Sequence, residues 1–337
     1  MTDYHLLGPL VRSFLSEEIV TDRNLTRNTQ RSYADAIQLL LRFIQRHLSV
    51  EPASLAVEQV TAAVVRSFLT HLEDERGNST STRNQRLKAI HALFHFIARR
   101  APELAGHIAE VHAIPPRRSA SPRMTYLEQS EIDALLAVPD RTTAQGQRDY
   151  ALLLFLYNTG ARTSEVAELT LDALTLDTPG SVRFVGRRRT LRVCPLWPHT
   201  VEVLRELLAA RLDGPATATV FHNVRGKPIT RFGIHTLVAR TATKAVDAMP
   251  ALRGKRVNPH TIRHTSAVHF LRAGIDIATV CARLGHVSTD TMNRYNEIDL
   301  EAAAPADACA VEQDEPAPLF CDPFDRAIDR AVQMPAA

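Results

Sequence analysis

Apolar residues recur at helical spacing through the first hundred residues. In 29–48, Tyr33, Ile37, Leu40, Leu41 and Ile44 share one face. Residues 60–77 repeat the pattern and stop at Gly77. Residues 79–100 open on capping hydroxyls and carry Leu87, Ile90, Leu93, Phe94 and Ile97 inward, with Arg83, Arg86 and Lys88 on the polar side. With a short helix near 103–112, these segments predict a small helical bundle over residues 1–113. The pattern then breaks at "IPPRRSASPRM" (114–124), an extended basic stretch that predicts a linker over 114–123 and sets Arg117 and Arg118 beside a candidate polyanion.

Beyond the linker the periods are mixed. "EQSEIDALLAVP" and "GQRDYALLLFLYNTG" predict helices, the second ended by Gly160. Residues 181–196 alternate on both sides of an Arg-rich turn, which predicts a β-hairpin with its tip near 186–190. A helix is expected at 198–212, strand and turn in "TVFHNVRGKPIT", a helix from 231 to 248, and another over 258–274 with proline at its start and glycine at its end. "DIATVCARLGH" and "TDTMNRYNEID" read as helical, and residues 124–300 form the second domain. The remaining 301–337 make an Ala/Pro-rich acidic tail in which Phe324, Ile328 and Val332 could form one face of a short docking helix.

Charge sharpens this division. The net formal charge is +3, but the tail holds eight acids and two arginines, a net of −6 that leaves +9 on the first 300 residues. An Arg-rich basic body suits nucleic acid, and an acidic tail suits contacts within or between subunits. No apolar run is long enough to span a bilayer, and the N-terminal stretch is too acidic for a signal peptide. The four cysteines form no CxxC pair, which fits a reduced, cytoplasmic chain. Cys281 is expected in the core.

Candidate chemistry concentrates in the second domain. "HTIRH" puts His260, Arg263 and His264 within about one turn of helix. A zinc helix would spend the position after its first histidine on a glutamate, to take a proton from metal-bound water; here it is Thr261, and Arg263 would bring positive charge against the metal. No metal is therefore expected. An anion site is the better reading, because His260 and Arg263 can aim donors at one phosphate. Three further motifs line up with it: "TGARTSE" (159–165), "RLGH" (283–286) and "DTMNRY" (290–295), with Tyr295 nine residues after His286.

In order and spacing, "TGARTSE", "HTIRHT", "LGH" and the trailing tyrosine resemble a tyrosine recombinase of the phage integrase family. The resemblance covers about residues 10–300 and is strongest in the second domain. It implies a mainly α fold with a small β-sheet (α+β): a two-domain, C-shaped DNA clamp with a helical, SAM-like core-binding domain and a catalytic domain. It also implies roles. Arg162 and Arg263 would hold the phosphate, His286 would add a hydrogen bond, His260 would act as acid or base, and Tyr295 would be the nucleophile forming a 3′-phosphotyrosyl link. Glu165 would orient the arginines. Family members usually carry a lysine in the hairpin, in a pattern resembling G-K-G…R…P-L, and that lysine protonates the leaving 5′-oxygen. Here Gly186 and Pro195 keep the spacing, but Arg187 holds the lysine's place, followed by Arg188 and Arg189. Arginine, with a pKa above about 12, is the poorer acid.

The expected activity is thus cleavage and rejoining of double-stranded DNA at a specific recombination site, for integration, excision or transposition, with no cofactor. Four protomers would meet at synapsis, alone or with other recombinases, on the cytoplasmic nucleoid. The rivals are a dimer-resolving recombinase and a catalytically weakened DNA-binding partner.

Overall fold

The computed structural model describes residues 6–23, 25–51, 54–119, 124–185, 191–209, 215 and 217–285. The chain divides into two compact units between Pro122 and Arg123.

The first unit is helical. α1 (Leu7–Ser13) runs on as a π-helical segment (Phe14–Asp22) and is followed by α2 (Arg27–Leu48), α3 (Ala62–Asp74), α4 (Thr80–Arg100) and α5 (Ala105–His112). Thr26, Thr61 and Ser79 cap α2, α3 and α4, each accepting from a backbone N–H three residues on and so satisfying one of the donors that a helix start leaves unpaired. Phe14, Ile37, Leu40, Phe68, Leu93, Phe94 and Phe96 fill the core between them. Periodicity did not predict α1 and its π-helical continuation. In the continuation Glu18 interrupts the apolar stripe but is buried and receives Arg99 at 2.5 Å.

The second unit packs α6 (Gln129–Ala137), α7 (Ala144–Thr159), the short α8 (Thr163–Ala167), α9 (Pro198–Leu208), α10 (Arg231–Ala245), α11 (Pro259–Arg272) and α12 (Ile277–Leu284) with a three-stranded antiparallel sheet. The sheet runs β1 (Leu174–Thr175), β2 (Ser181–Val185), β3 (Leu191–Pro195), with Val182 opposite Cys194 and Phe184 opposite Arg192. Every residue of α7 from Asp149 to Thr159 is buried, which makes it the central helix. α11 lies against it, and Ser266 Oγ donates to the Tyr157 carbonyl at 2.7 Å. "TVFHNVRGKPIT" is not a strand. It makes two isolated bridges, Thr170 to Thr219 and His222 to Pro228, because the turn at 223–226 closes too soon for a ladder. Cys281 is half-buried, and Cys194 is the buried thiol, its pKa pushed up to about 11 by burial.

Candidate active site

Arg162 and Arg263, far apart in the sequence of the second unit, come to one place. Gly160 ends α7 in the left-handed region (φ 57°), and the chain turns there into α8, which Arg162 precedes. The left-handed φ favours glycine at this position, and a Cβ on Gly160 would sit 2.3 Å from Leu284 Cδ2, so the Leu284 side chain would have to move. Arg263 lies on the first turns of α11. Asn258 starts that helix by accepting from the N–H groups of His260 (2.8 Å) and Thr261 (3.1 Å), with Pro259 at the first helical position.

The two guanidiniums meet at the end of α12. Arg263 donates to the carbonyls of Gly160 (2.6 Å) and Leu284 (2.8 Å), and more weakly to Gly285 (3.4 Å). Arg162 donates to the Gly285 carbonyl at 2.8 Å. Carbonyls at a helix C-terminus lack partners within the helix and carry the negative end of its dipole, which is why guanidiniums settle there. The two arginines differ in access: Arg263 is 6% exposed, whereas the Arg162 side chain is 40% exposed.

Glu165 organises the group. Its Oε2 accepts from the backbone N–H of Arg162 (2.8 Å) and its Oε1 from the Arg162 guanidinium (3.1 Å). A third arginine, Arg192 of β3, donates to both oxygens at 2.7 Å. Burial pushes the Glu165 carboxyl up, but the bonds from Arg192 and Arg162 and their charges outweigh it and hold the group below its ordinary value. Arg192 is not among the site residues predicted from the sequence. Two signals existed: the hairpin pattern G-K-G…R…P-L has an arginine ahead of its proline, as Arg192 stands ahead of Pro195, and Arg192 shares its face of β3 with buried Cys194, where an arginine has to be paired.

His260 sits at the N-terminus of α11, its ring 4.4 Å from that of His264. Partial burial lowers its pKa from the ordinary imidazole value, and the charges of Arg263 and Arg162 and nearby His235 lower it further. The imidazole is therefore neutral at neutral pH. The described residues hold no group of three or more His, Cys, Asp or Glu placed to bind a metal ion.

The remaining sequence-predicted residues divide. Arg187, Arg188, Arg189, His286, Tyr295 and the tail with its docking helix lie outside the described residues. In the first unit Lys88 and Arg118 are exposed and Arg86 is half-buried. Arg83 is not on the polar side of α4. It is four residues before Leu87, on the core stripe, and is buried with its Nε 3.7 Å from Glu73. Arg117 is exposed and also pairs with Glu73, while Asn84 holds its backbone with two hydrogen bonds, at 2.8 and 3.0 Å. No helix of the described residues is long and apolar enough to cross a membrane.

Known proteins share this architecture and sequence. A model described as the phage integrase family matches residues 125–301, and one described as the phage integrase N-terminal SAM-like domain matches residues 13–102. The putative integrase/recombinase y4rC of Sinorhizobium fredii is 37% identical over 300 residues, covering 89% of this chain and 90% of that protein. Tyrosine recombinase XerC of Pelobacter propionicus is 31% identical over 281 residues, 83% of this chain and 88% of that one. Among solved structures, the XerH recombinase bound to its difH substrate superposes with a TM-score of 0.63 at 20% identity, covering 87% and 84% of the two chains. The Tn1549 transposon integrase in complex with transposon right end DNA gives 0.65 at 17% identity, covering 88% and 99%. With the arginine cluster in place and both halves of the chain matched, the protein belongs to the phage integrase family of tyrosine-type site-specific DNA recombinases.

Proposed function

We propose that this chain cuts and rejoins double-stranded DNA at a specific site through a 3′-phosphotyrosyl intermediate, in the service of integration, excision or transposition. The observation that carries this reading is the convergence of Arg162 and Arg263 on the carbonyl of Gly285, the residue before His286. Two planar forks of donors at one point suit the non-bridging oxygens of a phosphodiester, whose negative charge grows as a fifth oxygen approaches phosphorus. In this reading the Tyr295 oxygen attacks phosphorus, the tyrosyl proton passes to a base, and the 5′-oxygen leaves as a hydroxyl once it has gained a proton. His260, neutral at neutral pH, fits the base. The phosphotyrosyl ester conserves the energy of the broken bond, so a new 5′-hydroxyl can reverse the step without ATP.

Arg187 takes the place of the proton donor. A guanidinium can hydrogen-bond to the leaving oxygen even though it seldom gives up a proton. Arg86, Lys88, Arg117, Arg118, Arg188 and Arg189 would contact the DNA backbone, and four protomers would assemble on two sites, alone or with other recombinases. The similarity to y4rC, a putative integrase/recombinase, supports the integration reading.

A nicked duplex tests the central claim. The protein's bound sequence is first selected from DNA flanking its gene. A nick beside the scissile phosphate then lets the short 5′-hydroxyl fragment diffuse away and traps the adduct. The wild-type chain should give a covalent protein–DNA band on a denaturing gel. Tyr295→Phe should bind with near-normal affinity and give none, and an undiminished band from Tyr295→Phe would sink the assignment. On a 5′-bridging phosphorothiolate, whose sulfur leaves without an acid, Arg187→Ala should regain most of the rate it loses on ordinary DNA.

A further inference from the structure

Arg192, which stands in the hairpin pattern without an assigned role, touches several parts of this site. Its guanidinium donates to both oxygens of Glu165 at 2.7 Å, and its Nε donates to the Arg283 carbonyl at 2.9 Å. The group stacks over the Phe184 ring at 4.4 Å, and it packs so closely on Gly285 that a Cβ there would lie 3.0 Å from Arg192 Cδ. The side chain is 10% exposed. The last three carbonyls of α12 and its cap are thus divided among three arginines: Arg283 O to Arg192, Leu284 O to Arg263, Gly285 O to Arg162 and Arg263.

We propose that Arg192 is a positioning residue for strand cleavage, which keeps Arg162 available to the phosphate by neutralising Glu165 and fixes the turn at Gly285 through the Arg283 carbonyl. This rests on the reading that Arg162 and Arg263 hold the scissile phosphate. The argument is one of competition. Each Glu165 oxygen is shared between Arg192 and Arg162. Arg192 satisfies the carboxylate with a bidentate fork, the strongest arrangement open to the pair. If Arg192 is lost, a nearly buried carboxylate has Arg162 as its remaining guanidinium partner. The two then form a tight ion pair, and the phosphate must compete with Glu165 for the same donors. The arginine that faces the substrate is thus tuned by one that does not.

The experiment compares Arg192→Gln, Glu165→Gln and the double variant, by the rate of adduct formation on the nicked duplex at saturating protein and by binding to the same duplex. Arg192→Gln should lose on the order of a hundredfold in rate, the scale of one lost transition-state donor, with affinity within about threefold. Glu165→Gln in the Arg192→Gln background should recover part of that rate, because the competing charge is gone. A purely structural role predicts that rate follows stability, because neutralising a buried carboxylate that has lost Arg192 also relieves the fold; melting temperatures of all the variants are therefore read beside the rates, and a rate that recovers only in step with the melting temperature overturns the proposal. A double variant as slow as Arg192→Gln or slower overturns the proposal, as does a rate for Arg192→Gln within about threefold of wild type. Should Arg192→Gln fail to give a cooperative melt, Arg192→Lys and Arg192→Lys/Glu165→Gln supply the same comparison, because an ammonium keeps the charge but not the fork. A wild-type chain that forms no Tyr295-dependent adduct overturns the function proposed above and this inference with it. A wild-type adduct with no rescue in the double variant overturns this inference alone.

Discussion

Glu73 in the helical unit and Glu165 in the catalytic unit are built alike. Each is a mostly buried carboxylate that takes one buried arginine and one more exposed arginine: Arg83 and Arg117 around Glu73, Arg192 and Arg162 around Glu165. Their surroundings differ. At Glu73 the exposed arginine is tied down, because Asn84 grips its backbone on both sides, and the result is a staple between α3, α4 and the start of the linker. At Glu165 a third arginine, Arg263, enters from α11, and an imidazole lies near enough to feel both Arg162 and Arg263. Three guanidiniums against one carboxylate leave positive charge over; two against one leave less. Ion pairing is therefore not the mark of a site. The mark is a surplus of charge held by buried partners at a point where helix carbonyls have already ordered it.

Removing the shared element should separate the two clusters most clearly. Arg162→Ala and Arg263→Ala should each slow adduct formation by on the order of a hundredfold or more. They should part in stability. Arg263 is buried, and its loss strips partners from the Gly160 and Leu284 carbonyls, at about 1–3 kcal/mol for each buried group left unsatisfied. Arg162 is partly in water, so Arg162→Ala should melt close to wild type. Equal losses of melting temperature would contradict this division of labour.

Gly160→Ala probes the backbone that brings the arginines together. The left-handed φ costs an L-residue roughly 1–2 kcal/mol, and the new methyl must displace Leu284. Gly160 also supplies a carbonyl to which Arg263 donates, so strain in its backbone reaches that arginine, and cleavage should fall by about ten- to a hundredfold while DNA binding changes far less. Rates like wild type would show that the clamp tolerates strain at Gly160.

Glu73→Gln is the matching change on the other side. It should lower the melting temperature of the chain, at a cost of about 1–3 kcal/mol for weakening a charged pair with buried Arg83. The saturated rate of adduct formation should stay within about twofold of wild type. A large loss of that rate would mean that the Glu73 group, too, belongs to the catalytic machinery.

Periodicity exposed most of the helices and the hairpin, because α2, α4 and α9 each bury one apolar face against a partner. It failed where burial was bought with charge. Glu18 broke the stripe of the π-helical segment, Arg83 was assigned to solvent although it stands in line with Leu87, and Arg192 passed unnoticed on an inward register. In all three the partner is distant in sequence, at Arg99, Glu73 and Glu165, and no local pattern can show it. Arg162, Glu165, His260 and Arg263 were singled out because short motifs resemble those of a known family, and each of these motifs falls at a helix start. The convergence of Arg162 and Arg263 on Gly285 was not legible, because it depends on how α7, α11 and α12 pack.

The smallest effect expected is in pH, and it too contrasts what is empty with what is filled. Without DNA, His260 is held below the ordinary imidazole value of about 6.5 by partial burial, by the arginines and by His235. The positive end of α11 acts in the same direction. Its neutral form is the one able to accept a proton, and that form persists until the pH falls through the lowered pKa. The acid limb of the second-order rate of adduct formation, which reports the unliganded protein, should therefore lie below the ordinary histidine range. At saturating DNA a bound phosphate answers the charges of Arg162 and Arg263, which removes part of the cause. The acid limb of the saturated rate should then sit at higher pH than the second-order one. Two coincident limbs would mean that His260 does not feel the arginine cluster or is not the group that takes the proton. A His260→Gln chain that keeps the acid limb would point to the second of these.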